Sequence, residues 1–454
     1  MNQQHTIIPR REFLAVTGAL AVTSAVGRGM AFDGTRRPRV AAIFTELRHR
    51  SHAYNILINI MGTCLFRGKR VDPGVDVVAW YADQFPTDDM AREASKRLNV
   101  PLFDSIDKAL CLGGKDLAVD AVLLIGEHGD YPENEFHQIM YPRKKFFDES
   151  VKTMQRSQRF VPVFNDKHLS YRWDWSKEMY ETTRKLGIPL MAGSSVPLAE
   201  RRPAIEVPDG AKVIEALAIH GGDVDVSDFH CLEVIQSMIE ARRGGETGIS
   251  RVEFLTGAAF DKAQQEGRWS ADLVAAAMAA EQNTGMQRKG RPLPRTGRPA
   301  TPPTAKPESD HAILVTYKDG TRGAVLKSGS TSDRWNFACR LEGRTAPLAT
   351  AFCNGPWGNL SLFSALSHAI AHFYRTGKSP YPVERTLLVS GALDAALHSH
   401  QANGKPVATP ELEFSYPAQD FRPFRETGES WKVVTAETPQ PTTFTPASRD
   451  RSNK

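Results

Sequence analysis

The stretch Ala121-Val122-Leu123-Leu124-Ile125-Gly126-Glu127-His128-Gly129-Asp130-Tyr131-Pro132 reads as a strand that runs straight into a loop dense in titratable groups. Its apolar residues are consecutive rather than alternating, as in a strand covered on both faces, the habit of parallel sheets. Upstream, Val40 to Phe44 repeats the pattern, and Ala53 to Leu65 places apolar residues at helical spacing. Val75 to Trp80 is a further strand, Thr87-Asp88-Asp89 caps a polar helix through Leu98, and Val100 to Phe103 is a short strand before a helical stretch from Asp104 to Leu110. Downstream come a helix from Arg143 to Arg156, a strand from Phe160 to Phe164, a helix from Ser176 to Leu186 and a strand from Ile188 to Ala192. Six strands alternating with helices predict an α/β domain over residues 38–206, a Rossmann-like doubly wound parallel sheet of the nucleotide-binding type.

After Val207 the rhythm changes. Helices are expected at Leu232 to Arg242 and Ala271 to Glu281, and strands at Arg251 to Leu255 and Asn336 to Leu341, with a hairpin from Ala312 to Leu326 turning at Lys318-Asp319-Gly320. Residues 207–434 therefore read as a C-terminal α+β domain with an open sheet, one face against helices. The exposed face of such a sheet suits a homo-oligomer. Residues 286–309, rich in proline and arginine, read as a solvated loop, and the Pro/Thr/Ser-rich tail, 435–454, as disordered. A hydrophobic content of 41% with 24% charged residues is that of a globular protein, and a net charge of +5 is too mild to argue for nucleic acid. Five scattered cysteines without a CxxC pair read as buried free thiols.

At the N-terminus, Arg10 and Arg11 precede Phe13, Leu14 and an apolar run from Ala15 to Val26. This resembles a twin-arginine export signal over residues 1–31, which implies the export machinery as a partner and delivery of the folded chain to the periplasm or beyond. The same segment, if retained, is an N-terminal membrane anchor.

Three segments resemble the Gfo/Idh/MocA family, that of glucose-fructose oxidoreductase and inositol dehydrogenase. Val161 to Leu169 contains Asp166-Lys167-His168 where the family has a Glu-Lys-Pro signature; Asp228-Phe229-His230-Cys231-Leu232-Glu233 is similar to its histidine-bearing helix start; and Phe373 to Pro380, followed by Ala392 to Leu397, looks like its closing helix pair. The resemblance implies a crevice between two domains, a carbohydrate substrate, NAD or NADP as cofactor, and Lys167 and His230, with Asp228 nearby, as catalytic residues.

A dinucleotide site of this type needs a glycine-rich turn after the first strand, because only glycine lets the backbone approach the pyrophosphate. The turn here, Thr45 to Ala53, contains no glycine. Arg48 and Ser51 remain as phosphate ligands by charge and helix N-terminus, Asp83 stands near the ribose position, and Glu127 and His128 follow the strand quoted first. His128, Asp130, His168 and His230 are candidate ligands for a divalent metal. Trp173 and Trp175 are candidates to stack a sugar ring or belong to the core. The resemblance favours an exported sugar or cyclitol oxidoreductase with a tightly held nicotinamide cofactor; the alternatives are a dinucleotide-free carbohydrate lyase, hydratase or isomerase in the same crevice, with or without a metal, and a non-catalytic carbohydrate-binding protein.

Overall fold

The computed structural model describes residues 36–282, 310–331 and 333–449. In the first half the elements are β1 (Arg39–Phe44), α1 (His52–Met61), a hairpin of β2 (Cys64–Phe66) and β3 (Lys69–Val71), β4 (Asp76–Ala82), α2 (Ala91–Leu98) and β5 (Leu102–Phe103). Then come α3 (Ile106–Cys111), β6 (Ala121–Ile125), α4 (Arg143–Arg156), β7 (Val163–Asp166), α5 (Trp173–Leu186) and β8 (Leu190–Gly193). The second half comprises β9 (Glu200–Arg202), β10 (Val213–His220), α6 (Val226–Ile239), β11 (Ile249–Thr256), α7 (Ala258–Gln265), α8 (Ala271–Gln282), β12 (His311–Tyr317), β13 (Arg322–Lys327), β14 (Asn336–Leu341), β15 (Leu348–Cys353), α9 (Asn359–Thr376), α10 (Val383–Gln401) and β16 (Val407–Ala408).

The first sheet runs β5-β4-β1-β6-β7-β8 with every pair parallel. The strand order reverses at β1, so the crevice of the fold opens beyond the carboxyl ends of β1 and β6. Proline moves two expected starts. Pro162 and Pro189 have no N–H to give and enter the sheet only as acceptors, from Val122 and Val163 at 2.9 Å each, so β7 and β8 begin at Val163 and Leu190. The helix expected from Ala53 to Leu65 stops at Met61 before Gly62, whose close approach to Ala447 leaves no room for a side chain; Cys64 to Phe66 is β2.

The second sheet, β16-β11-β12-β13-β10-β14-β15-β9, is antiparallel apart from the β10–β13 pair. One face packs on α6 and α10. The sheet is open, as expected, but its second face is not bare: Trp269, Leu273 and Ala277 of the α8 region and Ala263 of α7 cover Leu217, Ile219, Leu314 and Leu326. The surface on which a homo-oligomer was expected is taken by the chain's own helices.

The tail is also corrected. Thr435 to Arg449, expected to be disordered, lies against the first domain: Phe444 is buried beside Tyr54 and Trp80, and Arg449 donates to the Gly62 and Val75 carbonyls at 3.1 and 3.0 Å. α9 covers the same face of the first sheet, so its core is completed from the far end of the sequence. All five cysteines are free and buried. The export segment, 1–31, and the loop at 286–309 lie outside the described residues.

Candidate active site

At the carboxyl ends of β1, β6 and β7 the strands deliver a cluster of ionisable side chains. Glu127, the second residue beyond β6, accepts from Lys167 Nζ at 2.9 Å and from Arg143 at the start of α4. Burial would raise the Glu127 carboxyl, but Lys167 and Arg143 outweigh it and hold it well below the usual range. Asp166 ends β7 and accepts from His52 Nδ1 at 2.5 Å. His52 is the first residue of α1, whose cap Ser51 accepts from Tyr54 N at 3.2 Å. The His52 ring also meets that of His128 edge-on at 5.1 Å.

His128 Nδ1 accepts from Arg48 Nη2 at 3.4 Å, leaving Nε2 buried without a partner. His168 Nδ1 donates to the Ser170 carbonyl at 2.8 Å, and its Nε2 accepts from Arg143 at 3.4 Å. His230, on α6, packs against Trp335 at 5.1 Å with Nδ1 unpartnered. Burial comes first in lowering all three imidazoles, followed by His52 for His128, Arg143 for His168 and Lys167 for His230. All three are therefore neutral near pH 7. His128 and Lys167 stand in the left-handed region, at φ +70° and +61°. Such backbone costs on the order of 1–3 kcal/mol in residues other than glycine and concentrates at functional sites.

Lys167 and His230, named from the resemblance, are thus brought into one cluster, and His230 feels the charge of Lys167. Asp228 is not in it. Two positions before His230, it sits about 200° round the helix and accepts from His220 Nε2 at 2.9 Å and His311 Nε2 at 2.8 Å. Burial pushes the carboxyl of Asp225, the cap of this helix, up to about 6, and Asp225 feels the charges of Arg143, Lys167 and Glu127. His52 and Asp166 were missed as a pair. Their signal is a histidine at a helix start and an acid closing a strand, 114 positions apart, which nothing local joins.

The four proposed metal ligands do not converge. Asp130 is exposed, His168 is committed to Ser170 and Arg143, and among the described residues the group with metal-ligand spacing is His220, Asp228 and His311. Burial works to raise the Asp228 carboxyl, but His311 and His220 hold it well below its usual range. This triad does not fit a metal. His220 Nδ1 accepts from Gly222 N at 3.3 Å, which puts the ring proton on Nε2, whereas a ligating histidine points its second nitrogen as an N–H at an acceptor. The triad is a hydrogen-bonded lock between β10, α6 and β12. EDTA is expected to leave the melting temperature unchanged in a thermal scan; a fall on chelation would restore the metal.

No protein-family model matches the chain, and no curated protein matches it. Among solved structures, GenD2 from gentamicin A biosynthesis, in complex with NAD, gives a TM-score of 0.51 at 12% identity, over 89% of this chain and 99% of that one. A myo-inositol dehydrogenase from Corynebacterium glutamicum ATCC 13032 also gives 0.51 at 12% identity, over 82% of this chain and 98% of that one. The chain has the fold of the Gfo/Idh/MocA dehydrogenases.

The dinucleotide positions of that fold are engaged by the protein itself. Arg48 Nε donates to Glu46 at 2.5 Å, and Thr45 Oγ1 to the Glu127 carbonyl at 2.5 Å. Asp83 accepts from the hydroxyls of Tyr81 and Tyr131 at 2.7 Å each and pairs with Lys145 at 3.5 Å. Side chains thus stand where a glycine turn would leave backbone bare, and the residues present do not fit a pyrophosphate held in the usual way. Trp173 packs on Gly391 of α10, and Trp175 lies against Arg172 and Tyr171.

Proposed function

We propose that the protein is a dinucleotide-free acid–base enzyme, a lyase or isomerase acting on a small polyhydroxylated carbonyl compound such as a carbohydrate. The observation that carries this reading is the His52–Asp166 pair at 2.5 Å, a base with its orienting carboxylate, at the crevice end of the sheet. Asp166 fixes the proton on Nδ1 and leaves Nε2 to take one from a carbon or hydroxyl beside the carbonyl. Lys167, His128 and His230 surround it and supply charge and hydrogen bonds to the oxyanion that forms. The unpartnered buried atoms His128 Nε2, His230 Nδ1 and Trp335 Nε1 support a hydroxyl-rich substrate, since each costs about 1–3 kcal/mol until something bonds to it.

The oxidoreductase reading has the fold in its favour, since GenD2 was solved with NAD. One preparation separates the two. The full chain is denatured and the supernatant assayed for NAD and NADP, and the native protein is incubated with aldoses, ketoses and uronates in D2O while exchange at carbon is followed by NMR. We expect no dinucleotide, exchange into one class of sugar, and a loss of about 10²–10⁴-fold in His52→Gln. Stoichiometric dinucleotide would overturn the reading in favour of the oxidoreductase. Arg10 and Arg11 support export of the folded chain by the twin-arginine machinery, and accumulation of an Arg10→Lys, Arg11→Lys variant in the cytoplasm is the corresponding check.

A further inference from the structure

Behind Asp166 lies a second buried acid that the reaction above does not use. β7 and β8 pair Asp166 with Gly193. A Cβ on Gly193 would stand 2.6 Å from Glu233 Oε1 and 3.2 Å from the Tyr381 hydroxyl, so the glycine, at φ +131°, is what lets both groups reach the backbone beside Asp166. Glu233 is wholly buried on α6. It accepts from Ser194 N at 3.1 Å and from Ser194 Oγ, while the nearest cation, Arg385, is committed to Glu240. The Tyr381 hydroxyl, also buried, has no partner among the described residues, and neither has Asp166 Oδ1, whose sister oxygen holds His52.

We propose that Glu233 and Tyr381 are positioning residues that hold a proton behind the His52–Asp166 pair, so that the charge on Glu233 sets how strongly His52 takes a proton. The proposal rests on His52 as the base of the reaction. Two residues next to this glycine carry unpartnered oxygens, Tyr381 by its hydroxyl and Asp166 by strand pairing, and the Tyr381 hydroxyl feels the charges of both Glu233 and Asp166. With Glu233 protonated, Tyr381 O–H is free to donate to Asp166 Oδ1 and one negative charge faces His52. With Glu233 ionised, two do, and the imidazolium is favoured. Only an O–H proton leaves or returns, to solvent. Burial, ahead of the opposing Ser194 bonds, pushes the Glu233 carboxyl up to about 7, so the change falls near neutrality. The charged groups facing Glu233 are Asp166 from β7 and Arg385 from α10; those facing His52 are Asp166 and, through their mutual fields, Glu127, His128 and His230.

The test is a histidine-ring NMR titration of the full chain, with the His52 signal assigned by its loss in His52→Gln. In wild type the His52 signal should report an inflection near pH 7 that belongs to Glu233. Glu233→Gln should remove that inflection, and Tyr381→Phe should shrink it at least about two-fold, with near-ultraviolet circular dichroism reporting the fold. Identical His52 curves in wild type and Glu233→Gln overturn the proposal; if that variant does not fold, an unchanged curve in Tyr381→Phe does so. The readout needs no substrate. Coupling without exchange in D2O sinks the enzyme reading alone, and exchange without coupling sinks this proposal alone.

Discussion

Arg385→Ala is expected to cost the folded state about 3–5 kcal/mol, the effect of stranding one partner of a buried ion pair. Arg385 has no exposed surface. Its Nε donates to Glu240 Oε2 at 2.9 Å and a second nitrogen to Oε1, while its plane lies over Tyr381 and Phe421 at 4.8 and 4.4 Å. Glu240 also takes the Tyr416 hydroxyl at 3.0 Å, and Tyr416 accepts from Gln236. Removing the guanidinium leaves a carboxylate in the interior with one remaining donor, which is why the loss exceeds that of the contact itself. Denaturant unfolding followed by fluorescence measures it. Pairing Arg385→Met with Glu240→Leu should recover most of the loss, since the pair repays only part of its own desolvation; a double variant as unstable as the single one would contradict this account.

Phe444→Ala carries the second large effect, again about 3–5 kcal/mol, the range for emptying a buried phenylalanine site. Phe444 is 2% exposed, and its ring meets Tyr54 at 5.7 Å and Trp80 at 6.0 Å. Its carbonyl accepts from Arg97, and those of Pro441 and Thr438 from Tyr54 and Trp357. Truncation after Val434 should do at least as much and open the α1 side to protease. A change within about 0.5 kcal/mol, normal for a surface residue, would mean the tail is not part of the core.

The tail shows why composition misled. Proline and threonine give it no ladder or helix of its own, so read alone it has nothing to fold against. Its carbonyls are satisfied by donors on α1 and α2, 387 and 347 positions away, and on the loop before α9, 81 positions away. The apolar runs of β1 and β6 and the helix from Arg143 to Arg156 were legible because burial on both faces, or on one stripe, writes itself into local order. β10 and β15 were not read at all, and α7 was missed between two stronger signals. In the proposed site, Lys167 and His230 are named from motif likeness, and the structure puts them in one cluster. His52 was hidden because the turn before it was judged by the glycines it lacks, and Asp228 was misassigned because spacing along a helix does not say which side faces the crevice. His220 and His311 find Asp228 only when two strands close on α6.

The closure of the first core by α9 and Phe444 also fixes an order in time. While the ribosome is still adding the last fifth of the chain, the parallel sheet that was made first has its α1 side uncovered, and no local folding can seal it. The first core is closed only once α9 and the segment Thr435 to Arg449 have been added and come back over α1. Anything in the cell that distinguishes a finished copy from an unfinished one would find the difference at that seam.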